Sequence, residues 1–460
     1  MNKVNVKVNF SDIIGTIKPM HSVNNGPVGG RAHSSGESNA EYFTDAAIPF
    51  ARNHDANFFY QYGAPHTVDI MAIFPNFDAD ENDPESYDFH LTDEYNRSIV
   101  ASGTKIFYRL GNKIEHESKK YGANPPKDFN KFARICEHII RHMNEGWANG
   151  TYLNIEYWEI WNEPDLCPQC WAGTKEQYYE LYDITSRHLK KCFPDLKIGG
   201  PAVTHAGNRN FLTGFFDYIT RDKNDKAPLD FFSFHQYTTT PEYIAQQDAI
   251  AREYLDKYGY ENTETILNEW NYVRNWAPSS EMLYNKKVIP SLKGSAFVLS
   301  TMLACQKTEL DHLMYYDASI GAMWNGLFDK DTYTPLKPYY GLYAFSRLYL
   351  LKNEVKSECD IEKVYTGAAI SDDGNEACIV ITRYEDLNDI DAKNLTDITY
   401  DLRVDWNGFT AENGVKVTYS VLNSEKDLDP VSEEVFFGNS AAHIMKLPMY
   451  NTVLIKLEKL

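Results

Sequence analysis

Two glutamates carry the most chemistry in this sequence. Glu163 closes the run Trp158-Glu159-Ile160-Trp161-Asn162-Glu163-Pro164-Asp165, and Glu269 closes Thr265-Ile266-Leu267-Asn268-Glu269-Trp270-Asn271. Each is a carboxylate at the end of an apolar segment, with an aromatic and an amide beside it. Pro164 has no backbone N–H to give to a sheet ladder, so it ends the first run. Two carboxyl groups facing one pocket suit cleavage of an acetal. One protonates the leaving oxygen, and the other acts on the far side of the anomeric carbon. Where the second attacks directly, the pair stands roughly 5–5.5 Å apart. The acid must hold its proton near neutrality, which burial and a negative neighbour favour. The attacking carboxylate must stay ionised, which requires donors around it.

Two other segments offer those donors. Phe234-His235-Gln236-Tyr237 supplies His235, a candidate partner for the acid or the substrate, and Tyr237, a candidate donor to Glu269. Arg52-Asn53-His54-Asp55 supplies Arg52 to hold Glu269 ionised and His54 to meet a sugar hydroxyl. Asn162 is suited to the 2-hydroxyl contact that tightens in such transition states. Trp324, in a late loop, is a candidate stacking platform, and Trp171 a candidate for the mouth of the pocket. Asp317 is expected either to touch substrate or to cap a turn. Cys167-Pro168-Gln169-Cys170 is a lone C-x-x-C with no second pair and no nearby pair of histidines, so it reads as free thiols or a loop disulfide. No metal site is expected.

These residues need elements to position them. Short apolar runs alternate with amphipathic stretches through the first three quarters of the chain, which predicts βα units and a parallel sheet. Candidate strands are 12–17, 48–52, 105–110, 157–161, 197–200, 231–235, 265–268 and 313–316. Several are apolar throughout, as strands covered on both faces should be. Asp128 to Met143 places apolar residues on one helical face. Thr174-Lys175-Glu176-Gln177 is a capping box, and Thr240-Pro241 with Gly259 marks a second start and stop. Asn285 to Lys307 reads as one long helix. Eight strands with interleaved helices predict an α/β fold of the (β/α)₈ TIM barrel type over 11–350, with its chemistry at the C-terminal strand ends. Beyond about 350 the helical signals fade. Strands alternate with turns such as Asp373-Gly374 and Asn413-Gly414, predicting an accessory C-terminal antiparallel β-sandwich over 351–460. Residues 1–10 alternate polar and apolar and are expected to add a strand to it.

Composition narrows the function classes. A chain of 460 residues has room for a barrel and a partner domain. Its net charge of −20 gives no basic footprint for nucleic acid. No apolar stretch approaches a membrane span, and the first residues carry no apolar leader core. A cytoplasmic location is expected, or a secreted or periplasmic one if a leader was removed. Seven cysteines give no disulfide framework. Homo-oligomerisation stays open.

At the quoted motifs the chain resembles the clan A glycoside hydrolases, and most closely family 39, which includes β-xylosidases and α-L-iduronidases. Lys197-Ile198-Gly199-Gly200-Pro201-Ala202 and Asp230-Phe231-Phe232-Ser233 complete the resemblance, in matching order and rough spacing. It implies Glu163 as acid/base, Glu269 as nucleophile, net retention through a covalent glycosyl-enzyme, a glycoside or oligosaccharide substrate, and neither metal nor organic cofactor. It also supports His54, Asn162, His235 and Tyr237 as pocket residues. The chain departs from the family at Asp55, where the pattern Arg-x-His-Gly has glycine, and around Tyr316-Asp317-Ala318, where the xylosidases carry an acidic, aromatic loop. Asp55 is a candidate for hydroxyls that xylosides lack. The expectation is an exo-acting, β-xylosidase-like hydrolase. The alternatives are β-glucosidase, α-L-arabinofuranosidase or uronidase specificity, or a carbohydrate-binding protein without catalysis.

Overall fold

The structure is a computed structural model that describes residues 3–28, 38–54, 56, 67–390 and 399–460. Eight parallel strands close into a barrel: β2 (Ser22–Asn24), β3 (Phe50–Arg52), β4 (Lys105–Leu110), β5 (Tyr157–Ile160), β6 (Lys197–Val203), β7 (Phe231–Thr238), β8 (Glu264–Tyr272) and β9 (His312–Tyr315). β2 pairs with both β3 and β9, which closes the ring. Side chains alternate along each strand, so inward residues stack in layers. The lower layer is apolar: Phe50, Phe107, Tyr157, Phe231, Ile266 and Met314 cluster there. Two residues on, β3, β5, β7 and β8 place Arg52, Glu159, Ser233 and Asn268 in a polar layer, all buried.

The helices form where the sequence caps them. Asp128 accepts from the backbone N–H groups of Asn130 and Lys131 at the head of Phe129–Glu145, and Gly146, at φ 76°, ends it. Thr174 and Gln177 form the predicted capping box over Lys175–Cys192. Thr240 starts Pro241–Tyr258 by backbone geometry alone, without a side-chain cap. Two expectations need correction. The segment 12–17 is not the first barrel strand. Residues 12–16 are the exposed end of β1 (Lys3–Thr16), Ile17 beyond it is buried, and the barrel opens instead on the three residues of β2. The long helix 285–307 is two helices, Ser279–Val288 and Leu292–Gln306, meeting at 79°. Pro290 cannot donate the next helical bond, and the Ser291 hydroxyl accepts from the Gly294 N–H to start the second helix.

The second unit is a nine-stranded sheet. Its strands are β1, β10 (Asn353–Cys359), β11 (Val364–Ile370), β12 (Glu376–Arg383), β13 (Tyr400–Asn407), β14 (Val415–Leu422), β15 (Asp427–Phe436), β16 (Ser440–Leu447) and β17 (Thr452–Lys459). β1 lies between β10 and β13, and its pairing with β13 is parallel while the other pairings are antiparallel. The sheet curls so that its two ends meet. Tyr419 on β14 bonds His443 on β16, and Phe436 on β15 stacks edge-on against His443 at 4.8 Å. That curl encloses a sandwich-like core of Val4, Val6, Val8, Ile379, Val404 and Ile455. The other face packs Cys378, Val380 and Leu454 into the barrel's core. Polar ties reinforce this seam: the Tyr365 hydroxyl donates to Glu242 at 2.6 Å, and the fully buried Lys293 pairs with Asp386.

Candidate active site

The C-terminal strand ends hold the chemistry, and backbone irregularities aim it. Between β7 and β8 the register slips: Phe234 faces Leu267, but His235 faces Glu269. Asn268 is thus an extra residue on β8, and consecutive side chains, Asn268 and Glu269, both turn into the barrel. At the end of β5 the chain takes left-handed conformations at Trp161 (φ 74°) and Glu163 (φ 44°), and the Glu163 N–H donates to Ala202 O at 2.9 Å. Such conformations cost energy in a residue with a side chain. Here they swing the carboxyl group back over the barrel axis.

Arg52 organises the layer below. Its Nε donates to Glu159 Oε2 at 2.7 Å, one terminal nitrogen to Glu269 Oε1 at 2.8 Å and Asn24 Oδ1 at 3.0 Å, and the other to Asn162 Oδ1 at 2.7 Å. Glu159 Oε1 accepts from Ser233 at 2.6 Å and from the Asn268 amide. Burial opposes the charge on Arg52, and the two carboxylates outweigh it and raise its pKa. Glu269 also faces His54 Nε2 at 3.5 Å and accepts from the Tyr237 hydroxyl at 2.8 Å. Arg109 Nε donates to His54 Nδ1 at 3.2 Å, which leaves the His54 proton on Nε2, toward Glu269.

His235 joins the two glutamates. Its Nδ1 lies 2.8 Å from Glu163 Oε1 and 3.4 Å from Glu269 Oε2. One oxygen of each carboxylate and a nitrogen of this ring lie within 4.8 Å of one another. Burial lowers the His235 pKa, and the neighbouring Glu269 carboxylate opposes that shift. Burial also raises the Glu269 pKa, opposed by His235, Arg52 and the Tyr237 hydrogen bond, while Glu163 adds to the rise. The Cys170 thiol stands 3.7 Å from Glu163 Oε2.

An aromatic wall borders the pocket. Tyr237 packs edge-on against Trp276 at 5.3 Å and lies 6.0 Å from Trp324, and the two tryptophans meet at 5.5 Å. Trp276 is 55 % exposed, so a large apolar face remains open to solvent. The Asn271 amide holds the loop after β9 by bonding Tyr316 O at 2.6 Å and Trp324 O at 3.0 Å.

The structure therefore brings Glu163, Glu269, Arg52, His54, Asn162, His235, Tyr237 and Trp324 to one mouth. Asp55 lies outside the described residues. Trp171 does not line the mouth: it is fully buried, edge-on to Trp161 at 5.1 Å, with its indole N–H on Thr174 O. Asp317 is buried and accepts from the Ser319 N–H, so it shapes a turn. Cys167 and Cys170 do not form the loop disulfide. Sequence reasoning missed Asn24, Glu159, Arg109 and Trp276. Glu159 left one trace, a lone acid inside an apolar strand, where burial demands a charged partner.

A family model described as glycosyl hydrolases family 39 matches residues 18–277. A β-xylosidase from Geobacillus stearothermophilus is 29% identical over 180 residues, which is 39% of this chain and 32% of that protein. A β-xylosidase from Caldicellulosiruptor saccharolyticus is 32% identical over 141 residues, 30% of this chain and 25% of that one. The matched segments thus span a third or less of these relatives. A solved structure of a glucosidase from Croceicoccus marinus superposes with a TM-score of 0.81 at 21% identity, covering 100% of this chain and 99% of that one.

Proposed function

The chain belongs to glycosyl hydrolase family 39, and from that premise we propose that it is a retaining, exo-acting, β-xylosidase-like glycosidase. Glu163 is its acid/base and Glu269 its nucleophile. One observation carries the reading: a carboxylate oxygen of Glu163 and one of Glu269 lie within 4.8 Å of each other, on either side of His235 Nδ1. Inverting pairs stand about 6.5–9.5 Å apart to admit a water, and retaining pairs about 5–5.5 Å apart. The short gap supports direct attack.

In the first step the Glu163 proton passes to the glycosidic oxygen as the bond from that oxygen to the anomeric carbon breaks. Glu269 Oε forms a bond to that carbon, and the aglycone leaves as an alcohol. In the second step ionised Glu163 takes a proton from water, the water oxygen attacks the same carbon, and the bond to Glu269 breaks. Arg52, His54 and Tyr237 hold the Glu269 charge before attack and receive it again on release. His235 sits on the Glu163 oxygen and keeps the acid aimed. The xyloside preference rests on the names of the two relatives, and the exo mode on the resemblance of the strand-end motifs to family 39. The wall of Tyr237, Trp276 and Trp324 offers aromatic faces to a sugar ring.

Hydrolysis of aryl β-xyloside, β-glucoside, α-L-arabinofuranoside and uronide substrates, followed by NMR of the first-formed sugar, tests this reading. Fastest turnover of the xyloside with the β-anomer released first is the expected result. Initial release of the α-anomer would overturn retention, and preference for another sugar would overturn the xylosidase assignment.

A further inference from the structure

A second convergence of ligating side chains lies away from the carboxylate pair, on the outer helices of the barrel. His188 and Cys192 are four residues apart on the helix Lys175–Cys192, so they share a face. Glu137, on the neighbouring helix Phe129–Glu145, reaches across to them. His188 Nε2 is 2.7 Å from Glu137 Oε2 and 3.9 Å from Cys192 Sγ, and the three ligand atoms all lie within 4.8 Å of one another. The helix Lys175–Cys192 follows β5 and runs back toward the start of β6, so the cluster sits toward the end of the barrel opposite the carboxylates.

We propose that Glu137, His188 and Cys192 form a three-ligand site for a zinc-class divalent cation, which clips the two helices together. Thiolate, imidazole and carboxylate together match the ligand types of zinc and not those of magnesium or calcium. Zinc bonds of about 2.0–2.3 Å place tetrahedral neighbours roughly 3–4 Å apart. The 3.9 Å between His188 Nε2 and Cys192 Sγ already falls in that range, and the 2.7 Å between His188 Nε2 and Glu137 Oε2 must open to admit the ion. The fourth position is left to water, because the side chains are only partly buried.

The carboxylate is oriented in advance. Arg141 donates to Glu137 Oε1 at 2.9 Å, which turns Oε2 toward His188. Outer partners of this sort fix a ligand's direction in metal sites. The Arg141 charge is shared with Glu145 at 2.5 Å and spread over the Phe193 ring at 5.0 Å, so it does not stand unpaired beside the cation. A cation bound only by the folded chain raises its stability by mass action.

Titration of chelator-stripped full-length protein with Zn²⁺ by calorimetry, and with Co²⁺ by absorption, tests the site. One saturable equivalent is expected, with a thiolate-to-cobalt band in the near ultraviolet and a higher Tm with metal. Cys192→Ser should abolish the band, and His188→Ala should weaken binding at least tenfold. Cys170→Ser should leave both unchanged, which separates this site from the loop thiols. Absence of saturable binding, absence of the band in the unsubstituted protein, or a band that survives Cys192→Ser would overturn the proposal. The unsubstituted protein alone can decide the matter, so a variant that fails to fold does not rescue it.

Discussion

The Tyr237 hydroxyl donates at 2.8 Å to Glu269 Oε2, the same oxygen that lies 3.4 Å from His235 Nδ1. Glu269, the proposed attacking group, is thus held by the Tyr237 hydroxyl on the pocket side and by the Arg52 guanidinium on the other oxygen, from below. Removing a single preorganised donor to a charge that changes during reaction costs about 10²–10³ in kcat. Tyr237→Phe should lose that much while unfolding at nearly the same temperature, because the ring and its packing remain. The hydrogen bond also favours ionised Glu269. The acid limb of the pH–rate profile should therefore move to higher pH in the variant. An unchanged kcat would remove Tyr237 from the mechanism.

Arg52 is a different case, because it neutralises two buried carboxylates at once. Arg52→Met leaves Glu159 and Glu269 buried without their cation. Breaking a buried pair in this way costs about 3–5 kcal/mol. Denaturant unfolding should show that loss, and the double variant Arg52→Met/Glu159→Gln should recover part of it. A double variant no better than Arg52→Met would mean that Glu159 does not depend on Arg52 for its charge.

Glu269 itself gives a stability prediction with a sign. Burial raises its pKa in the folded chain, and its donors only partly oppose this. Above about pH 4.3 the unfolded chain gives up this proton while the native state still holds it. Stability therefore falls as pH rises through the folded pKa, and the penalty is constant beyond it. Glu269→Gln removes the penalty. Its Tm should exceed that of the unsubstituted protein at pH 7, with the gap closing as pH falls toward 4. An equal or lower Tm at pH 7 would show that Arg52 and Tyr237 fully offset the burial.

Trp276 leaves more than half of its surface open beside Trp324 and Tyr237. If that face receives the leaving group, Trp276→Ala should raise KM for aryl glycosides several-fold and change kcat little. A fall in kcat at unchanged KM would place Trp276 in support of Tyr237 instead.

Much of this arrangement was legible in the sequence, for identifiable reasons. Strand-end motifs such as Asn162-Glu163-Pro164 and His235-Gln236-Tyr237 announce themselves because polar groups interrupt apolar runs where a barrel opens to solvent. The supporting layer was not legible. Asn24 lies on a strand of three residues, too short for any periodic signal. Glu159 lies inside an apolar run, where only its partnership with Arg52 across the barrel gives it meaning. Pro290 marks the break between the two helices, but the apolar residues on either side of it continue one helical pattern. The curl that joins the ends of the nine-stranded sheet is a long-range fact. It depends on contacts such as Phe436 with His443 that no local pattern encodes.

The most direct test of the central claim is azide rescue of Glu269→Ala on an activated aryl glycoside that the unsubstituted protein cleaves. The variant lacks the nucleophile but keeps Glu163, so a small anion can enter the space left beneath the anomeric carbon. The account predicts negligible turnover without azide, restored turnover with it, and a glycosyl azide of inverted configuration. Substantial activity without azide, or a rescued product of retained configuration, would contradict the assignment of Glu269 as nucleophile.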